Sequence, residues 1–310
     1  MNLKSIGCTL SLLLLLGGCS AKQGPVAASY QLESDDVLVD LTSVEYKVLI
    51  NPELLKDKAG YQGIWDLLID TASQQGISVK SEEKLKIKHR NIQYLDTGNL
   101  ELRKHGYTLR YRQKYKDFAG FGDDANKLGE KYDVTLKYRS GDKAKALDSG
   151  IAVDSNRFKG KKPELEADIT PKGIIYSHAA KVKLKEGKKG SFAKLFDYSV
   201  KGAKGYATMY PLLAELDLNG NYIVPVADIT VVEAKMEPGF LLFKEGVEPE
   251  VAISKFYDAE GQPFVGEVSF DFDIEGDKHT VTFAELKQIE AYYTALLTNL
   301  GDKVYEGTTK

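Results

Sequence analysis

The stretch that decides the fold is Tyr94-Leu95-Asp96-Thr97-Gly98-Asn99-Leu100-Glu101-Leu102-Arg103-Lys104-His105-Gly106-Tyr107-Thr108-Leu109-Arg110-Tyr111-Arg112. Its second half alternates. Thr108, Arg110, Arg112 and then Lys114 share one face of a strand, while Leu109 and Tyr111 take the other. Its first half ends an earlier strand, predicted over 84–96, on which Lys84, Lys86, Lys88 and Arg90 again share a face. Gly98, Asn99 and Gly106 mark the turn region between them. Two neighbouring strands thus each offer one purely cationic face.

Working outward, the same alternation predicts strands over 43–50, 107–115, 132–139, 163–169, 228–236, 249–258 and 265–273, eight with the one already named. Helices are expected over 62–74, where Trp65, Leu68, Ile69 and Ala72 share a face, and over 282–300. There Thr282 and Glu285 form a capping-box pattern ahead of a stripe of Phe283, Leu286, Ile289, Tyr293, Leu296 and Leu300. A Lys-rich region over 178–216, broken by Gly190, Gly202, Gly205 and Pro211, reads as helical with a solvated face. Segments 116–131 and 140–162 read as surface insertions. No linker divides the chain after residue 40, so 41–310 is expected to be one domain.

The charges sort by sign along the chain. Residues 205–310 carry 7 basic and 19 acidic side chains, leaving 35 and 26 for residues 1–204. Thr135, Lys137 and Arg139 continue the basic faces. Glu164, Glu166 and Asp168 form an acidic one, as do Glu267, Ser269, Asp271 and Asp273, while Ser43, Glu45 and Lys47 are mixed, as are Glu233 and Lys235. Solvated faces ordinarily mix signs so that neighbours pair. Strands of one sign make sense if a polyanion and a divalent cation lie between them, since guanidinium and ammonium groups take phosphate oxygens and paired carboxylates hold Mg²⁺ or Mn²⁺.

The quoted segment resembles the CYTH family, the triphosphate tunnel metalloenzymes, in its Tyr-x-Asp-Thr, Leu-x-Leu-Arg and Leu-Arg-x-Arg elements. Val134-Thr135-Leu136-Lys137 is similar to the family's Thr-Leu-Lys strand, Glu164-Leu165-Glu166 to its mid-chain Glu-x-Glu, and Ser43-Val44-Glu45-Tyr46-Lys47 to its Glu-x-Glu-x-Lys signature. The resemblance implies a β-rich α+β fold, an eight-stranded antiparallel tunnel-like barrel with peripheral helices and a polar interior. It implies phosphate binding by Lys47, Arg110, Arg112, Lys137 and Lys235, and metal ligation by Glu45, Glu164, Glu166 and either Glu267 or Asp271. A Mg²⁺- or Mn²⁺-dependent phosphohydrolase of inorganic triphosphate or a triphosphate-bearing organic compound follows. Ser43 stands where the signature has its first Glu, so a non-catalytic polyanion-binding or structural envelope protein is the alternative.

Residues 1–18 read as a secretory leader too short to span a bilayer, and Leu16-Gly17-Gly18-Cys19 resembles the lipobox of bacterial lipoproteins. That implies lipidation at Cys19, a tether over 19–40 reaching about 65 Å, and outer-membrane anchoring toward the periplasm. Cys8 leaves with the leader, so no disulfide framework or thiol-metal site is expected. His89, His105, His178 and His279 lack metal-ligand spacing, and neither a phosphate-binding Gly-rich loop nor a nucleophilic serine turn is present. The expected ligand is polyphosphate or a triphosphate-bearing compound. The membrane is met through the anchor alone, and nucleic acid is not an expected partner.

Overall fold

The structure is a computed structural model, and it describes residues 38–158, 160, 162–185, 205–218, 222–274 and 280–305. The expected leader, Cys19 and most of the expected tether lie outside the described residues, as do 186–204. The described residues form ten strands: β1 (Ser43–Ile50), β2 (Ser78–Ser81), β3 (Ile87–Asp96), β4 (Tyr107–Asp117), β5 (Lys127–Ser140), β6 (Glu164–Thr170), β7 (Gly173–Lys185), β8 (Val224–Leu242), β9 (Glu250–Tyr257) and β10 (Pro263–Asp273). They follow the order β2-β8-β3-β4-β5-β7-β6-β1-β10-β9, and pairing of β9 back onto β8 closes a ring of nine, with β2 appended outside to β8. Where β2 lies against β8, Gly239 (φ +154°) is needed, because a Cβ there would stand 2.1 Å from the Lys80 carbonyl oxygen.

The expected barrel is therefore present with two corrections. The ring has nine strands rather than eight, because 173–185 is strand β7 and not the start of a helical region. Nor is it wholly antiparallel, since β1 and β6 run parallel with Ser43 opposite Glu166 and Glu45 opposite Asp168. The second follows from the first: an odd number of strands cannot alternate direction around a closed ring. Thr42 secures the parallel seam, its N–H donating to the Leu165 carbonyl (2.7 Å) and its hydroxyl accepting from Leu165 N–H (3.1 Å).

Alternation puts polar residues in the lumen and apolar ones outside, so the hydrophobic cores lie on the outer wall. Helix α1 (Lys58–Gln74), capped by Asp57, and helix α2 (Phe283–Leu300), with the expected capping box, cover β1, β10, β9 and the end of β8. Trp65, Leu68, Ile289, Tyr292 and Leu296 are buried there against Tyr46, Val48 and Phe270. Fully burying each contributes on the order of 1.5–3 kcal/mol. Tyr293 donates its hydroxyl to the Lys47 carbonyl (2.7 Å), which fixes α2 directly behind a lumenal residue. A second core over β4, β5 and β7 is covered by Tyr206, Met209, Tyr210 and Leu213, with Tyr210 donating to the Val134 carbonyl (2.7 Å).

Segment 116–131 is less an insertion than the tip of the β4–β5 hairpin. It folds back over the wall as a strap in which Phe118 stacks on His89 at 4.1 Å and Phe121 packs on Tyr257 at 4.8 Å. Segment 140–162 holds a helical turn over Lys143–Leu147, and Ser149 there is hydrogen-bonded to His178 (2.9 Å). Among the described residues no helix is long and apolar enough to cross a membrane.

Candidate functional site

Strand register fixes which side chains share the lumen. On the β3–β4–β5–β7 arc, Tyr94, Arg110, Thr135 and Lys181 fall in one cross-strand row. Ile92, Arg112, Asp133 and Lys183 form the next, and Arg90 stands opposite Lys114. A hollow opens among Tyr94, Thr108, Arg110, Thr135, Lys137 and Arg139. Apart from a 3.7 Å approach of Asp133 to Arg112, no ion pair among the described residues engages Arg110, Arg112, Lys114 or Lys181. These cations crowd one another instead. Burial and then the neighbouring Arg110 and Arg90 lower Arg112 to about 10. Burial also lowers Lys114 and Lys181, with Arg90 foremost beside the first and Arg112 beside the second. Such an arc favours an anion before any side chain moves.

The opposite arc, β6–β1–β10–β9, carries Asp168, Glu45, Asp271 and Glu250 in a single row, with Glu164, Glu166 and Glu267 on the same face. Like charges directly opposite repel across a ladder. Two lysines answer this. Lys47 Nζ lies 2.6 Å from Glu45 Oε2 and 3.1 Å from Asp168 Oδ1. Lys137 reaches from β5 across β7 to Glu166 Oε2 at 2.5 Å, passing the small side chain of Ala179 that pairs with it. Ser177 donates to Asp168 Oδ2 (2.9 Å).

The protonation balance follows. Burial alone would lower Lys47, but Glu45, Asp168 and Glu267 hold it well above the usual lysine range. Burial pushes Asp168 up, and Lys47 with Lys137 overcomes it, leaving Asp168 well below the carboxylate range. Glu166 is lowered in the same way, burial being outweighed by Lys137. Two carboxyls lack a dedicated lysine and go the other way. Burial raises Glu267 to about 7, Lys47 opposing and Glu45 adding. Asp271 is open to the lumen, yet poor hydration between the walls, then Glu45, raises it to about 7.

Between the arcs, β8 and β3 form a neutralised border. Arg90 pairs with Glu233 (3.2 Å) and Glu237 (3.5 Å), and Glu237 also takes Lys88 (2.7 Å) and Lys235 (3.0 Å). Burial would raise Glu237, but the Lys88 hydrogen bond and Lys235 bring it to about 2. Beyond it a cavity of about 540 Å³ opens at one mouth, lined by Lys84, Lys86, Lys88, Phe240 and Glu250 among others.

Of the residues singled out from sequence, Arg110 and Arg112 stand together on the cationic arc, whereas Lys47 and Lys137 are committed to carboxylates and Lys235 to Glu237. Glu45, Glu164, Glu166, Glu267 and Asp271 share the acidic arc; Glu267 and Asp271 lie on one face of β10, so both enter the lumen. Sequence reasoning passed over Lys181 and Lys183, whose alternation with Ala180, Val182 and Leu184 was the available signal. Asp168, Lys114 and Arg90, placed on charged strand faces from sequence but given no role there, also belong to the site, as does Glu250. As the side chains lie, no three potential ligands among the described residues are grouped closely enough to hold a metal ion. The chemistry of the donors nevertheless fits Mg²⁺ or Mn²⁺: all are carboxylate oxygens on adjoining strands, and two are pushed toward protonation by burial and then by Glu45.

No protein-family model matches the sequence, and no curated protein matches it. Among solved structures, the chain is similar to a candidate adenylyl cyclase from Hippeastrum, described as revealing a dominant triphosphatase activity, at 14% identity over 87% of this chain and 93% of that one with a TM-score of 0.39. It is also similar to a candidate adenylate cyclase from Bacillus halodurans (15% identity, 87% and 95% covered, TM-score 0.40) and one from Vibrio parahaemolyticus (9%, 87% and 95%, 0.34). Likenesses this distant leave the function to be argued from the lumen itself.

Proposed function

We propose that the lumen binds a linear triphosphate and hydrolyses it with the help of a divalent cation. The observation that carries this reading is the cationic arc of Arg110, Arg112, Lys114 and Lys181, with only Asp133 in ion-pair range of it among the described residues, facing a row of carboxylates across one closed barrel. Arg110 and Arg112 lie two residues apart on one strand, spaced to grip successive phosphate groups, and Lys181 flanks them from β7. Their donors would stabilise charge that builds on the transferring and leaving phosphates, the largest protein contribution to phosphoryl transfer. Glu45, Glu166, Asp168, Glu267 and Asp271 supply the oxygens from which Mg²⁺ or Mn²⁺ would be held, and the metal would supply phosphate charge neutralisation and activation of water. The walls of the barrel orient the chain along its axis so that water meets the terminal phosphorus in line.

Incubation of the purified chain with tripolyphosphate and Mg²⁺ or Mn²⁺ is expected to release orthophosphate. Absence of turnover with either metal between pH 6 and 9 overturns the hydrolytic reading. A second reading has its own support: Lys47 and Lys137 already neutralise Glu45, Asp168 and Glu166, and Ser43 replaces a signature carboxylate. On that reading the chain binds polyanions without cleaving them, and calorimetry would show tripolyphosphate binding in EDTA with no hydrolysis on adding metal. The lipobox pattern extends either reading to a lipid-anchored protein of the bacterial envelope. Labelled palmitate should enter the wild type and not Cys19→Ala.

A further inference from the structure

Lys47 and Lys137 occupy an unusual position. Both are lumenal, and Lys137 lines the hollow with Arg110, Thr135 and Arg139, yet both ammonium groups rest on carboxylates of the acidic arc. Lys47 spans two strands at once, touching Glu45 on β1 and Asp168 on β6. The Lys47–Glu45 and Lys137–Glu166 pairs border the lumen, with side-chain exposures of 22% for Lys47, 17% for Lys137, 28% for Glu45 and 26% for Glu166, whereas Asp168 is buried at 7%. Partly hydrated pairs of this kind exchange partners at modest cost, unlike dry ones. A lysine is well suited to such an exchange, its charge being a compact point on a flexible stem.

We propose that Lys47 and Lys137 are exchangeable internal counter-cations that couple anion binding to divalent-cation binding. In the ligand-free chain they neutralise Glu45, Asp168 and Glu166 and thereby compete with a metal ion for those oxygens. A phosphate chain seated on Arg110 and Arg112 draws the two ammonium groups onto its own oxygens. The carboxylates they leave are then uncompensated and take the divalent cation. Each ligand therefore tightens the other, and linkage makes the effect reciprocal. The proposal rests on the reading of the lumen as a polyanion site, and it adds an order to that site: a barrel empty of anion holds metal weakly, because its own lysines are in the way.

The test reads free Mn²⁺ by its electron paramagnetic resonance signal, with no turnover involved. With chloride as the only anion, Lys47→Met and Lys137→Met should each tighten Mn²⁺ binding by about tenfold, within the usual range of coupling effects. Lys181→Met, which removes an equal charge that touches no carboxylate, should change it far less. In the wild type, saturating sulfate at constant ionic strength, used because it chelates Mn²⁺ weakly, should tighten Mn²⁺ at least about fivefold. In the double lysine variant sulfate should have no effect. Unchanged Mn²⁺ affinity in the lysine variants, or equal tightening in Lys181→Met, overturns the proposal. Should the methionine variants not fold, the sulfate experiment on the wild type decides alone, and an affinity indifferent to sulfate overturns it. Tripolyphosphate in EDTA separates the two levels. If it fails to raise the melting temperature of the wild type, the polyanion reading itself falls; if it does so while the coupling is missing, only the exchange is lost.

Discussion

The two halves of the lumen solve the same electrostatic problem differently. On β4, β5 and β7, cations face cations with Asp133 as the one carboxylate in ion-pair range among the described residues, and Arg112, Lys114 and Lys181 are held below their usual ranges. On β6, β1 and β10 a comparable crowd of carboxylates is relieved by lysines borrowed from its own wall and from across β7. One half stores its repulsion for a ligand, whereas the other spends lysines to remove it. Stability and binding should therefore be carried by different halves.

The sharpest way to break this comparison is to remove the guanidinium pair. Arg110→Ala with Arg112→Ala should weaken tripolyphosphate binding in EDTA by about 3–6 kcal/mol, more than a hundredfold, through loss of charge-assisted hydrogen bonds. Ligand-free stability should not fall, and a matching loss of melting temperature would show that the cations are structural. The reverse holds across the lumen. Lys47→Met leaves Glu45, Asp168 and Glu267 without their shared counter-charge and should cost about 2–4 kcal/mol in urea denaturation at pH 7, reduced from the fully buried case by partial hydration. Lys181→Met should stay within about 0.5 kcal/mol of the wild type.

Alkaline pH gives a smaller, two-sided effect. In the folded chain Lys114 and Lys181 lie below their unfolded values, so their charged forms penalise folding at neutral pH, and the penalty lifts as pH rises through the folded value toward the unfolded one. A bound polyanion needs the charged forms, so affinity is complete below the lowered values and declines as pH passes through them. Tripolyphosphate affinity followed by calorimetry from pH 8 to 10.5 should fall about tenfold, whereas the contribution of these lysines to ligand-free stability moves the opposite way. A separate effect concerns the strap that joins the halves outside the lumen. Gly261 takes φ +85°, and a Cβ there would stand 2.6 Å from the Phe121 ring. Gly261→Ala should cost about 1–2 kcal/mol in thermal denaturation and leave tripolyphosphate affinity unchanged.

Much of the lumen was legible because lumenal side chains recur every second residue, and such a period survives in a single sequence. Arg110, Arg112, Glu164, Glu166, Glu267 and Asp271 were found in this way. What failed was non-local. Nothing within 163–169 announces that it lies parallel to 43–50, so the adjacency of Glu45 and Asp168 could not be read. Strand β7 was missed because Lys181, Lys183 and Lys185 lead into a Lys- and Gly-rich stretch whose composition outweighs its brief alternation. The segment that first suggested the fold also proves partly architectural. Asp96 accepts hydrogen bonds from the backbone N–H groups of Thr97 (2.7 Å), Leu102 (2.8 Å) and Arg103 (3.0 Å), and Thr97 accepts from Glu101 N–H (3.0 Å). That pattern builds the turn delivering Arg110 to the lumen, and Leu100 takes a left-handed φ of 58° within it.

The parallel seam has a kinetic consequence. Most neighbours in the ring are joined by hairpins or short connections, but β1 meets β6 across 123 residues, as in the Leu165–Thr42 contact. Closing so long a loop forfeits chain entropy before any contact compensates, and contacts of high sequence separation form slowly. Lys47 spans that same seam, touching Glu45 on one side and Asp168 on the other. Both seams of β1 are long-range, because β1 also pairs with β10 near the far end of the sequence, so the carboxylates of β6, β1 and β10 come together only as the barrel closes.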